Sequence, residues 1–268
     1  MLLSRIFTSR RNGSRRTASS RAYAIGDVHG RLDLLDELLG RIEADNAGRD
    51  PARVTIVFLG DLIDRGPQSA QVVERLRRFH PAFAQTVFLM GNHEEVFLRV
   101  LGGDLTILPD WLRFGGAECL QSYGIDPAEL QLRKAADVLK LLRQAIPKDH
   151  VKFLSGFVDT ASFGRYLFVH AGIRPGVPLP QQIPEDLRWI RQPFLDHEAD
   201  HGHVVVHGHT ISRAVEVRPN RIGLDTGAYR SGVLSALGVE GEERWIIQTG
   251  AGAGSGEEGV RVAKYQHA

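Results

Sequence analysis

Five short apolar runs in this 268-residue chain each end in side chains able to bind a metal ion or move a proton. Residues 22–25 are followed by Asp27 and His29, 53–59 by Asp61 and Asp64, 86–90 by Asn92 and His93, 166–169 by His170, and 203–206 by His207 and His209. In open α/β sheets the ligand site lies beyond the carboxyl ends of the strands, so these groups are expected to converge on one crevice. Gly26, Gly60, Gly91 and Gly208 immediately precede Asp27, Asp61, Asn92 and His209, where a missing Cβ lets the backbone turn sharply and approach a bound ion or phosphate. Carboxylate, imidazole and amide oxygen together form a mixed nitrogen and oxygen set suited to Mn, Fe or Zn rather than to Ca or a thiolate-bound metal.

The elements that must carry these groups alternate strand-like and amphipathic stretches, the pattern of an α/β layer fold. Leu32, Leu35, Leu38, Leu39 and Ile42 recur at helical spacing, with Arg31, Asp33, Asp36, Glu37, Arg41 and Glu43 between them. Residues 68–79 read likewise, and 127–145 form a third helical stretch that stops before Pro147. Beyond residue 210 the helical pattern ends, and 221–224, 232–239 and 244–248 read as closing strands of a sheet. Residues 102–116 read as a surface loop beside the cleft.

With 43% hydrophobic residues the chain can bury a sizeable core, and one compact catalytic domain over 22–248 is expected. Apolar runs are strand-length, none near the roughly 18 residues of a membrane span, so a soluble, cytoplasmic protein is expected. Cys119 is the only cysteine, which excludes an internal disulfide and reads as a small buried apolar residue. The net charge of +1 hides an asymmetry, because residues 1–21 hold six arginines and no acid. That segment reads as a basic, disordered tail, and 249–268 as a glycine-rich one. The remaining domain is mildly acidic, which argues against nucleic acid as the main partner.

GDVHG (26–30), GDLIDRGP (60–67), GNHE (91–94), VHAG (169–172) and GHT (208–210) follow one another in that order. In this the chain resembles the calcineurin-like metallophosphoesterases and, more narrowly, the bacterial phosphoprotein phosphatases. The resemblance implies a four-layer αββα fold, a β-sandwich flanked by helices, with two divalent metal ions, Mn first and Fe, Zn or Mg as alternatives. It implies that Asp27 and His29 bind the first metal, that Asp61 bridges, and that Asn92, His170 and His209 complete the second. His93 matches the family's general acid and Asp64 the carboxylate that orients it. A metal pair of this kind lowers the pKa of bound water and stabilises in-line displacement, so a bridging hydroxide is the expected nucleophile. A positioned acid is typically worth 10² to 10⁴ in rate, and Arg65 can clamp phosphate by paired hydrogen bonds. The family pattern also calls for a second arginine, assigned to Arg191 in preference to Arg188.

The activity expected from this resemblance is hydrolysis of phosphoserine and phosphothreonine monoesters in a phosphoprotein or phosphopeptide. The second reading resembles the symmetrical diadenosine tetraphosphate hydrolases, which share the metal frame with the HAG and DTGA (225–228) segments. Asp64-Arg65 weighs for the phosphatase, since those hydrolases usually lack the aspartate. A third reading is a silent binding module, which would predict eroded ligands, and none is eroded. His207 reads as a strand-end residue, because the second histidine of a Gly-His-X-His pattern would fall on Ile211. Glu94 is balanced between a helix-start charge and a supporting role and stays outside the catalytic set. Histidines 80, 150, 197, 201, 203 and 267 are assigned to surface or loop positions, and residues 225–229 to a turn. GSGEEG (254–259) has no room for a following helix and strand, and no P-loop or G-x-S-x-G motif occurs.

Overall fold

Val, Ile, Thr and Phe crowd residues 54–58, and such side chains favour a pleated backbone packed on both faces. The computed structural model describes residues 19–130 and 133–250. Its strands are β1 (Ser19–Ile25), β2 (Ala52–Phe58), β3 (Ala84–Phe88), β4 (Thr160–Phe163), β5 (Tyr166–Val169), β6 (Val204–His207), β7 (Glu216–Val217), β8 (Arg221–Gly223), β9 (Ser235–Glu240) and β10 (Glu243–Gln248). They form two five-stranded sheets, ordered β10-β9-β1-β2-β3 and β4-β5-β6-β8-β7. Each sheet has a parallel trio, β1-β2-β3 in one and β5-β6-β8 in the other, with antiparallel strands beyond it.

Period-two alternation stacks the sheets face to face. Ala22 and Ala24 of β1 pack between the sheets with Phe168, Val204 and Val206, while Tyr23 and Ile25 face the helices. The helical layer over the first sheet comprises α1 (Leu32–Ala47), α2 (Ser69–Arg77), α3 (Asn92–Gly102), α4 (Leu108–Trp111), α5 (Ala117–Ser122), α6 (Ala135–Ala145) and α7 (Lys148–Leu154). On the outer face of the second sheet, Leu167, Val169 and Val205 are covered by Leu187 of α8 (Pro184–Trp189), Ile190 and Phe194. The result is the expected four-layer αββα sandwich. A short α9 (Ala228–Ser231) lies between β8 and β9. Cys119 is a buried free thiol. No helix among the described residues is long and apolar enough to cross a membrane.

Several boundaries move. The basic tail was expected to run to residue 21, but β1 starts at Ser19 and Arg21 is buried. Its guanidinium donates to Glu240 Oε2 (2.8 Å), Asn46 Oδ1 (2.6 Å) and the Asp50 carbonyl (2.9 Å), long-range partners that local composition cannot reveal. The domain also extends to Thr249, which is buried and accepts the Leu234 N–H at 2.8 Å. The rest of both tails lies outside the described residues. The helix expected over 127–145 is divided into a 3-10 turn, Pro127–Leu130, and α6. β4, β7 and α9 went unanticipated, being too short to show a period.

Candidate metal centre

All six parallel strands end at one rim. β1 leads into Gly26-Asp27, β2 through Leu59 into Gly60-Asp61, β3 into Asn92 at the start of α3, β5 into His170, and β6 into His209. β8 leads through Leu224 into Asp225, a sixth such position. Close approach is enforced at two glycines. A Cβ on Gly208 would collide with Asp27 Oδ1, and one on Gly91 with Asp61 Oδ1. Gly208 thus lets the His209 N–H donate to Asp27 Oδ2 at 3.0 Å.

Two buried groups of ligand-type atoms share Asp61. One joins His29, Asp61 and His93, the other Asp61, His170 and His209, each with its atoms within 4.8 Å of one another. Asp27 borders the first, its Oδ2 being 4.0 Å from His29 Nε2. Asn92 sits in the second, its Oδ1 lying 2.9 Å from both His170 Nε2 and His209 Nδ1. His29 Nδ1 meets the Ile63 carbonyl and His170 Nδ1 the Leu59 carbonyl, each at 2.8 Å. Those contacts make Nδ1 the donor and turn both Nε2 lone pairs inward. In neutral His170 that lone pair then faces the Asn92 and Asp61 oxygens, an arrangement that calls for a cation. His209 Nε2 and Asp225 Oδ2 are buried without a hydrogen-bond partner. Residues of this chemistry fit divalent metal ions.

Electrostatics point the same way. Burial, then Asp225 and Asp61, push the Asp27 carboxyl well above its ordinary value. Burial acts likewise on Asp61, but His170, His93 and His29 outweigh it and hold that carboxyl well below. Burial lowers His209 to about 2. A crowd of carboxylates held out of water by a rim of imidazoles costs free energy unless positive charge joins it.

His93 and Asp64 form a pair beside the first group. His93 Nδ1 is 2.6 Å from Asp64 Oδ2, and burial of the imidazole is overcome by Asp61 and Asp64, so its pKa rises. The Trp111 indole donates to the same Asp64 oxygen at 2.8 Å. Trp111 lies within the stretch expected to be a surface loop. That stretch is instead largely helical and tied inward, with the Arg65 N–H donating to the Gly115 carbonyl at 3.0 Å. The Arg65 guanidinium donates to His29 Nε2 at 3.0 Å, stands 3.0 Å from His93 Nε2 and lies over the Tyr229 ring at 5.1 Å.

Glu94, set aside on sequence grounds, organises the bridging loop. Its carboxylate accepts the N–H groups of Asp61 (2.8 Å), Leu62 (2.8 Å), Ile63 (3.3 Å) and Gly91 (3.2 Å). That bracing matters because the loop is strained. His29, Asp61, Asp64, Arg65 and His209 have φ of 44, 50, 71, 65 and 60°, and they are the non-glycine residues in the left-handed region among those described. Each such residue costs about 1–2 kcal/mol, and such strain gathers at functional sites.

Arg191 is exposed, makes no side-chain hydrogen bond or ion pair among the described residues, and its charge depresses His209. Arg188 is committed to Asp159 (2.7 Å) and Glu95 (3.3 Å). His207 turns from the centre, its ring edge-on to Phe194 at 5.1 Å in the outer layer. His150 departs from its expected surface position: it is buried, 3.0 Å from the Tyr123 hydroxyl and 3.1 Å from Glu74. Asp225 was read as a turn residue. Its place after a parallel strand was the available signal, and its Oδ1 accepts the Gly227 N–H at 2.9 Å.

A calcineurin-like phosphoesterase family model matches residues 20–234. A symmetrical bis(5'-nucleosyl)-tetraphosphatase from Nitrosospira multiformis is 25% identical, with 87% of this chain and 96% of that protein aligned. One of the same name from Neisseria gonorrhoeae is 28% identical, over 86% and 96%. A crystal structure described as a putative diadenosine tetraphosphatase superposes with a TM-score of 0.61 at 22% identity, covering 88% of this chain and 96% of that one. The two tetraphosphatase alignments, spanning most of the chain, overturn the expected phosphoserine and phosphothreonine phosphatase and its phosphoprotein partner. The weight placed on Asp64-Arg65 was misplaced for a physical reason: an oriented acid and a guanidinium serve any departing phosphate or alkoxide oxygen.

Proposed function

We propose, from the premise that the chain belongs to the calcineurin-like phosphoesterase family, that this hydrolase cleaves dinucleoside tetraphosphates symmetrically into two nucleoside diphosphates. The observation that carries the substrate class is the alignment of most of the chain with the symmetrical tetraphosphatases. The proposed catalytic unit is the span 22–248, extended by β1 to Ser19 and by the buried Thr249.

In this proposal Asp27, His29 and Asp61 hold one divalent ion, and Asp61, Asn92, His170 and His209 a second, with Mn preferred over Fe, Zn or Mg. Ions bound there would polarise phosphoryl oxygens and acidify water. The chain's own groups do the rest. A water oxygen displaces the central bridging oxygen at phosphorus, and the proton on His93 Nε2 passes to the departing nucleoside diphosphate. The Asp64 carboxylate on Nδ1, at 2.6 Å, fixes the ring and favours its charged form. Arg65 and Arg191, on different sides of the shared Asp61, grip non-bridging oxygens.

The test strips the protein of metal and restores it with Mn, Fe, Zn or Mg, then follows diadenosine tetraphosphate. The expected product is ADP alone, formed with restored metal and absent without it. ATP with AMP would mean asymmetric cleavage, and no turnover with any metal would remove the reading.

A further inference from the structure

Two aromatic rings are exposed among the described residues, Phe114 at 61% and Trp189 at 40%. Trp189 borders the His209 side of the metal centre, and Phe114 stands on the segment packed against Arg65. Trp189 closes α8 with its ring centroid 6.5 Å from that of His209, at a steep 74°. Its indole N–H donates to Glu95 Oε2 at 3.1 Å, which fixes the ring plane. Two residues on, Arg191 is the exposed cation acting on His209. Phe114 directly precedes Gly115, whose carbonyl receives the Arg65 N–H. The Arg113 guanidinium lies 5.8 Å over the Phe114 ring. Each of these two segments therefore offers an exposed aromatic ring with an arginine close by.

Single exposed hydrophobic residues are ordinary on a protein surface. What sets these apart is that both stand on segments tied to the centre, Trp189 beside His209 and Phe114 next to the Gly115 that meets Arg65. A ring face beside a cation suits a base attached to a charged phosphate chain, since every nucleobase offers a π-face for stacking.

We propose that Trp189 and Phe114 are stacking platforms for the two nucleobases of a dinucleotide. Trp189 takes the base of the half held over Asp61, His170 and His209. Phe114 takes the base of the half that departs past His93 and Arg65. This inference rests on the dinucleotide reading above and adds where the bases lie, so that recognition comes from a matched pair of platforms flanking one phosphate-cleaving centre.

Replacing an aromatic platform by alanine typically weakens binding about 5- to 150-fold per base. Trp189→Ala and Phe114→Ala are compared with wild type on diadenosine tetraphosphate and on inorganic tripolyphosphate, which offers the anhydride without bases. The ratio of the two KM values is expected to rise about tenfold in each alanine variant, and Trp189→Phe, which keeps a ring, should recover most of it. A ratio unchanged in both alanine variants overturns the platforms. An independent readout is tryptophan emission in metal-free protein: ADP should quench it and pyrophosphate should not, with the ADP effect gone in Trp189→Ala. If diadenosine tetraphosphate is never turned over, the hydrolase reading falls. An ADP titration that leaves emission unchanged overturns the Trp189 platform by itself, whatever the turnover.

Discussion

Replacing Trp111 with Phe removes one N–H from a carboxylate that has few donors. Asp64 Oδ2 receives Trp111 Nε1 at 2.8 Å and His93 Nδ1 at 2.6 Å, while Oδ1 is buried without a partner. A hydrogen bond to a charged group contributes roughly 1.5–3 kcal/mol, and the smaller ring gives up packing against Phe97 and Gly116. A total near 3 kcal/mol lowers the melting temperature by about 6–12 °C in a domain of this size. The effect on rate is separate from that loss. A general acid is worth roughly 10² to 10⁴, and loosening one of the two bonds that hold its carboxylate should remove about 3- to 10-fold for a basic leaving group. The assay is kcat over a series of aryl phosphates with increasingly acidic phenols, where the deficit should shrink to about twofold or less, because a good leaving group needs little protonation. Adding His93→Asn provides the cross-check, since Trp111→Phe should cost almost nothing further in kcat once the acid is absent. A uniform deficit along the series, or independent effects in the double variant, would show that Trp111 does not act through His93.

Glu94→Ala leaves four N–H groups around Asp61 without their acceptor and should destabilise by about 2 kcal/mol net of the relieved buried charge; an unchanged urea midpoint in metal-free protein would count against the bracing role. Arg21→Met breaks the pair with Glu240 and the bonds to Asn46 and Asp50. Because Glu240 is partly exposed, the loss should be about 2–3 kcal/mol, and a value within about 0.5 kcal/mol of wild type would mean that water replaces those bonds. Glu74 is held at about 2, chiefly by its hydrogen bond from Arg77. A folded value below the unfolded 4.5 gives stability that is present above pH 4.5 and lost as pH falls towards 2. Glu74→Gln should therefore flatten the urea midpoint across that window, and parallel curves for the two proteins would refute the linkage.

Much of the frame was legible because strand ends are local. Asp27, Asp61, Asn92, His170 and His209 each follow a short apolar run and a turn, and the fold brings all of them to one rim. Asp225 follows β8 in the same way, but Gly227 made the segment look like a plain turn. Glu94 and Trp111 were harder, since their partners lie 33 and 47 residues away and no local pattern encodes such a bond. β7 spans only two residues, too few for alternation to show. The substrate class was misread from Asp64-Arg65, whose chemistry is indifferent to what the phosphate is attached to.

Five residues of this centre hold a backbone shape that glycine would adopt more readily. At His29, Asp61, Asp64, Arg65 and His209, folding alone would favour a different letter of the sequence from the one that chemistry needs. A copy of this protein released from its catalytic duty would gain stability by drifting towards glycine there, so those positions should be the first to wear away.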